Sequence, residues 1–242
     1  MKRARFRDPA GSIRFGEYRD GVIETDGIEY AADAVDILPP TAPTKVLGVG
    51  HNYRSRYDDP SEFPPAPKLW FKGGPNVVAG HGDLVTVPDS GEVVYEVELG
   101  VVIGDQCRNV PEESALDVVA GYTCVNDLSD MSRRDEMSMF GAKSFDNAAP
   151  MGPVLATPDE VPAEPRGRLW VNGELRQDSG DDSFVFSIPE VVAAASATLT
   201  LEPGDVIQMG NPGGFDAVDD GDVIELAVEG IGRLRHEIRT AD

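Results

Sequence analysis

The chain has 242 residues, 40% of them hydrophobic, enough for one domain with a sizeable core and at most a small appendage. Lys and Arg total 21 against 43 Asp and Glu, and the net charge of −22 argues against a nucleic-acid partner or an anionic membrane, because no basic surplus exists to meet phosphates. No apolar run approaches the roughly 20 residues of a membrane span, and the opening MKRARFRDPAGS lacks the apolar stretch of a signal peptide, so a cytoplasmic protein is expected.

In chain order, SIRFGEYRDGVIET alternates about a turn at Asp20-Gly21, so residues 1–44 read as a small β unit that ends in a linker with Pro39, Pro40 and Pro43. From Lys45 the texture changes to apolar strands and Gly-rich loops, and residues 45–242 read as one domain. Strands are predicted over 45–50, 69–72, 84–87, 93–103, 121–126, 168–171, 206–209, 223–228 and 232–238. A helix is predicted over 111–120, with Asn109 and Glu112 in cap spacing and Gly121 as its stop. Two more are predicted over 131–139 and over 189–197, the latter with Ser187 and Glu190 as a capping box. Many strands and few helices, without regular alternation, predict a mainly β, α+β fold.

The acids are spread through PDEVPAEP, DSGDD and DAVDDGD, and lysines number only five: Lys2, Lys45, Lys68, Lys72 and Lys143. Such a coat suits molar salt, where charge repulsion is screened over about 3 Å. A carboxylate needs a further reason to be read as functional. YEVELGVVIG supplies one. Strand alternation puts Glu96, Glu98 and Gly100 on one face, and the flanking VVIG is apolar on both faces and so reads as buried. Adjacent buried anions call for a hard cation, and oxygen ligands favour Mg²⁺, Mn²⁺ or Ca²⁺. The competing reading is a solvated acidic face. Asp127, at the end of GYTCVND, is a third candidate ligand or a helix cap for the following segment.

Lys143, in GAKSFDNAAPMGP, reads as a cation for a bound carboxylate or carbonyl, or as a surface charge. GNPGG, 210–214, could offer backbone amides to an anion or be a plain turn. His51 follows a strand and is a candidate; His81 and His236 are expected at the surface. Cys107 and Cys124 form neither a disulfide framework nor a zinc spacing, and no nucleophile elbow or dinucleotide fingerprint is present.

Taken in order, VLGVGHNY, PKLWFKG, YEVELGVVIG, VAGYTCVND, AKSFDNAAPMGP, LEPGDVIQMGNPGG and VEGIGRLRHEI resemble the fumarylacetoacetate hydrolase family across residues 45–238. The resemblance implies a mixed β-roll catalytic domain, usually a homodimer, with one Mg²⁺ or Mn²⁺. It implies Glu96, Glu98 and Asp127 as metal ligands and Lys143 as the active-site lysine. His51 and Arg56 are further catalytic candidates. Tyr53, Arg54, Arg134, Gly210 and Asn211 are substrate-binding candidates. Family members act on 2-oxo and β-diketo acids through an enolate. Hydrolysis of a C–C bond is the expected outcome; isomerisation, decarboxylation and dehydration are alternatives.

Three departures bear on that choice. Arg56 stands where hydrolytic members carry a water-activating histidine, and no glutamate follows it in RYDD. A guanidinium stays protonated, so Arg56 cannot be that base; His51 or Asp58 could substitute. Arg54 or Arg56 could instead grip a second substrate carboxylate, which suits a diacid. The family's Gly-Thr-Pro reads Gly210-Asn211-Pro212, and Arg134-Asp135 falls only approximately on the family's Arg-Asp pair. A catalytically silent, metal-dependent dicarboxylate-binding protein is the non-enzymatic alternative, and a purely structural acidic protein remains behind it.

Overall fold

The computed structural model describes residues 1–180 and 182–241, without the side chains of Asp135 and Glu136. The N-terminal strands are β1 (Lys2–Arg7), β2 (Ile13–Arg19), β3 (Val22–Thr25), β4 (Ile28–Ala31) and β5 (Asp36–Leu38). Then come β6 (Val46–Gly50), β7 (Lys68–Gly73), β8 (Val78–Ala79), β9 (Leu84–Val87), β10 (Val93–Val94), β11 (Val97–Ile103), β12 (Val119–Asn126), β13 (Ser129–Asp130) and β14 (Ala149–Ala156). The C-terminal strands are β15 (Gly167–Val171), β16 (Glu174–Asp178), β17 (Val206–Gln208), β18 (Val223–Val228) and β19 (Gly232–Thr240). The α-helices are α1 (Arg134–Lys143) and α2 (Ile188–Thr198). The architecture is mainly β, as the sequence predicts.

The large sheet runs β4-β3-β2-β1-β14-β12-β11-β17-β6-β7, and a second runs β16-β15-β18-β19-β9. The N-terminal meander joins the large sheet where β1 pairs with β14, and Ala4 and Phe6 enter the main core. At the other end, β17 lies antiparallel to β11 and parallel to β6, which pairs with β7. That end of the sheet carries the candidate site.

Three local predictions are corrected. Residues 111–120 do not form an α-helix: Glu112–Val118 is a 3-10 helix behind Pro111, and β12 already begins at Val119. Asn109 is not its cap; its backbone is left-handed (φ 54°) and its N–H donates to Ser196 O. The helix expected over 131–139 is a short 3-10 turn over Met131–Arg133 followed by α1, which runs on to Lys143 and is interrupted at Ser138 (φ 61°, ψ −166°). The capping box of Ser187 and Glu190 forms as predicted.

Candidate metal centre

All of β11 is buried, so its alternation separates two interiors rather than core from solvent. Val97, Leu99 and Val101 enter the main apolar core. Glu98 and Gly100 lie on the opposite face by the strand's period of two. The predicted strand 93–103 is broken into β10 and β11. At the break the Glu96 N–H donates to Asn126 Oδ1 (3.0 Å) and the Asp127 N–H donates to Glu96 O (2.9 Å). The break thereby sets Glu96 beside Asp127, and one oxygen each of Glu96, Glu98 and Asp127 lies within 4.8 Å of the others. Asp127 is not a helix cap; Asp130 caps the following turn by accepting from the Ser132 N–H.

Two buried lysines meet these acids. Lys143 Nζ is 2.7 Å from Glu96 Oε2 and 2.5 Å from Asp127 Oδ2, so it is no surface cation. Lys72, wholly buried on β7, is 2.5 Å from Asp127 Oδ1 and donates to Leu128 O. The sequence reading missed Lys72, although a lysine inside the apolar PKLWFKG of a lysine-poor chain was a usable signal. Two ammonium groups offset only two of three carboxylates. Burial therefore pushes Glu98 well above the ordinary range, helped by the charges of Asp127 and Glu96. Glu96 is raised for the same first reason. Burial would raise Asp127 too, but Lys143 and Lys72 hold it low. Burial lowers Lys72 to about 8 despite Asp127, whereas the surrounding acids keep Lys143 raised against its own burial. Three buried oxygen donors with one uncompensated charge fit a divalent Mg²⁺ or Mn²⁺.

A cavity of about 400 Å³ opens onto Glu96, Glu98 and Lys143 and is also lined by His51, Arg56, Lys68, Trp70, Arg134, Asn211 and Phe215. Gly48 and Gly50 make its wall possible: a Cβ at either would stand 2.6 or 2.5 Å from the Trp70 indole. His51 projects from the end of β6 on a left-handed backbone (φ 55°). Burial and then the charges of Arg56, Lys68 and Arg134 hold its imidazole below the usual value. Arg56 stands over the Phe215 ring, 5.9 Å from its centroid.

The cavity does not gather every candidate. Tyr53 is buried against Phe184 (ring centroids 5.0 Å apart), and the Arg54 Nε donates to Phe184 O while its guanidinium stands over Phe63; neither lines the cavity. The Gly210 N–H donates to Glu98 Oε2 (2.7 Å), so it orients a carboxylate rather than offering itself to an anion. Asn211 does line the cavity, its Oδ1 accepting from the Gly213 N–H. Arg134 reaches it from the start of α1; the Asp135 side chain lies outside the described residues. Asp58 is exposed and takes no part in the lining. His236, expected at the surface, is wholly buried, with Asn126 Nδ2 3.0 Å from its Nε2. Arg235 and Glu237 on either side are exposed, so alternation carries the imidazole inward.

The family model for the fumarylacetoacetate (FAA) hydrolase C-terminal region matches residues 45–239. The oxaloacetate tautomerase YisK of Bacillus subtilis is 36% identical over 233 residues, covering 89% of this chain and 77% of that protein. Among solved structures, the 5-carboxymethyl-2-hydroxymuconate delta-isomerase of Mycobacterium smegmatis superposes with a TM-score of 0.90 at 31% identity, over 100% of both chains. The maleylpyruvate hydrolase of Sphingobium sp. SYK-6, solved with manganese(II) and pyruvate, superposes with a TM-score of 0.84 at 28% identity, again over 100% of both. Motif order, fold and extent of match agree: the chain belongs to the fumarylacetoacetate hydrolase family.

Proposed function

We propose that this protein is a divalent-metal enzyme that moves a proton on a 2-oxo dicarboxylate, interconverting its keto and enol or double-bond isomers. The observation that carries this reading is the polarity of one cavity, with buried Glu96 and Glu98 at its inner end and His51, Arg56, Lys68 and Arg134 around the rest. Three cations around one space, Arg56, Lys68 and Arg134, in a chain of net charge −22, suit a substrate with a second carboxylate.

Glu96, Glu98 and Asp127 would hold Mg²⁺ or Mn²⁺. When bound, that cation supplies Lewis-acid stabilisation of negative charge on the substrate's 2-oxo group. Lys143, protonated and beside Glu96, adds a fixed positive charge to the same end of the cavity. Arg56 and Arg134 hold the distal carboxylate in fork geometry. His51, whose imidazole burial and then its cationic neighbours hold below the usual value, is the candidate proton acceptor in the same cavity. C–C hydrolysis is the second reading. His51 favours it, as a cavity group outside the proposed ligand set that can activate water where Arg56 cannot. A cytoplasmic homodimer adapted to high salt is proposed from the family resemblance and the spread acid excess.

The test is proton NMR in molar KCl with Mg²⁺ and an EDTA control, on oxaloacetate, an unsaturated 2-oxo diacid and an acylpyruvate. The expected result is metal-dependent tautomerisation or isomerisation of a diacid. Arg56→Ala should lower kcat/KM about 10–100-fold, mainly through KM. Release of pyruvate from the acylpyruvate would replace this reading with hydrolysis. Metal binding without turnover of any of them would leave a dicarboxylate-binding protein.

A further inference from the structure

One step along the sheet from the carboxylates, five residues lie side by side on the same face. Gly100 of β11 pairs with Thr123 of β12 and with Gln208 of β17. Gln208 pairs with Gly48 of β6, and Gly48 with Trp70 of β7. Gly100 follows Glu98 by two residues, so the row faces the metal centre's side of the sheet. The next row, Val102, Val206 and Val46, belongs to a separate apolar cluster with Val125 and Met151. The layer therefore lies between Glu98 on one side and hydrocarbon on the other, with Val125 of the same cluster paired beside Glu98.

Gln208 and Thr123 are wholly buried. Both ends of the Gln208 carboxamide, the Thr123 hydroxyl and the Trp70 indole N–H have no hydrogen-bond partner among the described residues. Buried polar groups in folded proteins are almost always paired, and an unpaired one costs about 1–3 kcal/mol. A concentration of such atoms in one row implies partners that the chain itself does not supply. A negative ion is disfavoured next to Glu98, and a positive one by the N–H donors of Trp70 and Gln208. Water can both donate to the Gln208 carbonyl and accept from the indole and amide N–H groups.

We infer that Gln208, Thr123 and the Trp70 N–H hold internal water beside Glu98, one step along the sheet, and that Gln208 acts through this water as a positioning residue for the metal centre. The water bridges the orphaned groups toward Glu98 and the lysines. It makes that side of the site a fixed polar layer instead of the apolar one that the neighbouring valines continue. The coupling to metal rests on the ligand reading above; the hydration does not.

A crystal structure of the intact protein should show ordered water within hydrogen-bonding distance of the Gln208 carboxamide and Trp70 Nε1, and Gln208→Leu should lose it. Titration with Mn²⁺ should then show Kd raised about tenfold in Gln208→Leu, the scale of lost outer-shell support. Thr123→Val, which keeps the shape, should raise it in the same direction if Gln208→Leu fails to fold. A dry layer in the parent overturns the inference. So does a Gln208→Leu or Thr123→Val protein that binds Mn²⁺ with parental affinity. A parent that binds no Mn²⁺ overturns the ligand reading and the coupling, while the electron density still decides the hydration.

Discussion

The two faces of the β11–β12 pair are equally buried and chemically opposite. Leu99 and Val101 meet the apolar core on one side; on the other, Glu98 lies beside Glu96 and Asp127, which pair with two lysines beyond the strand ends. Burial alone therefore says nothing about role. The apolar face gains from exclusion of water, whereas the charged face tolerates it only through ion pairs and leaves one carboxylate uncompensated. The first face stores stability, and the second holds a candidate site whose charge a bound cation would satisfy.

Substitutions on the charged face should separate its members most sharply. Asp127→Asn leaves Lys72 and Lys143 without their shared partner and should cost about 3–5 kcal/mol in a denaturant melt without metal. Glu98→Gln removes a like charge and should leave that melt unchanged or improved. Both should weaken Mn²⁺ binding by more than the roughly 10–100-fold typical of an outer-shell loss. If Glu98→Gln destabilises as Asp127→Asn does, the charged face is structural and the contrast fails.

On the apolar face, Leu99→Ala should cost about 2–5 kcal/mol in the same melt, with metal affinity per folded molecule unchanged. A joint loss of affinity would show that the faces are mechanically coupled.

His236 offers a test through pH. Burial holds it down to about 3, with Arg235 and His81 acting in the same direction, so it stays neutral in the fold and charges near pH 6.5 when unfolded. Its contribution is complete above that value and is lost as pH falls toward 3, at about 1.4 kcal/mol per unit. Urea midpoints of the parent should therefore fall more steeply across this window than those of His236→Phe. Equal slopes would mean that the buried imidazole does not titrate between the two states.

The smallest effect per group should come from the acidic coat. Exposed acids repel one another weakly, but there are many of them. Raising KCl from dilute to molar should raise Tm in the parent. A flat response would sever the acid excess from salt adaptation.

Much of the site was legible because period-two alternation is a local property. It singled out Glu98 on its face and Glu96 two residues before it, although Glu96 sits at a strand break that alternation does not foresee, and the order of motifs added Asp127 and Lys143. The kink at Ser138, the 3-10 turn at Glu112–Val118 and the inward Lys72 were not legible, because propensity and spacing do not register what packs against a segment. Tyr53 and Arg54 were substrate-binding candidates from the family resemblance; the chain turns at His51, and Phe184 captures both.

By itself the sequence determined a mainly β chain, its acidic coat, its family motifs and the residue types able to bind a hard cation, since all of these follow from composition and short-range periodicity. Tertiary structure alone decided that Lys72 lies beneath Asp127, that the Gly210 amide serves Glu98, that His236 is internal, and that Trp70, Gln208 and Thr123 form one row. Each of those depends on strand order and register between segments far apart in the chain, which only long-range pairing sets.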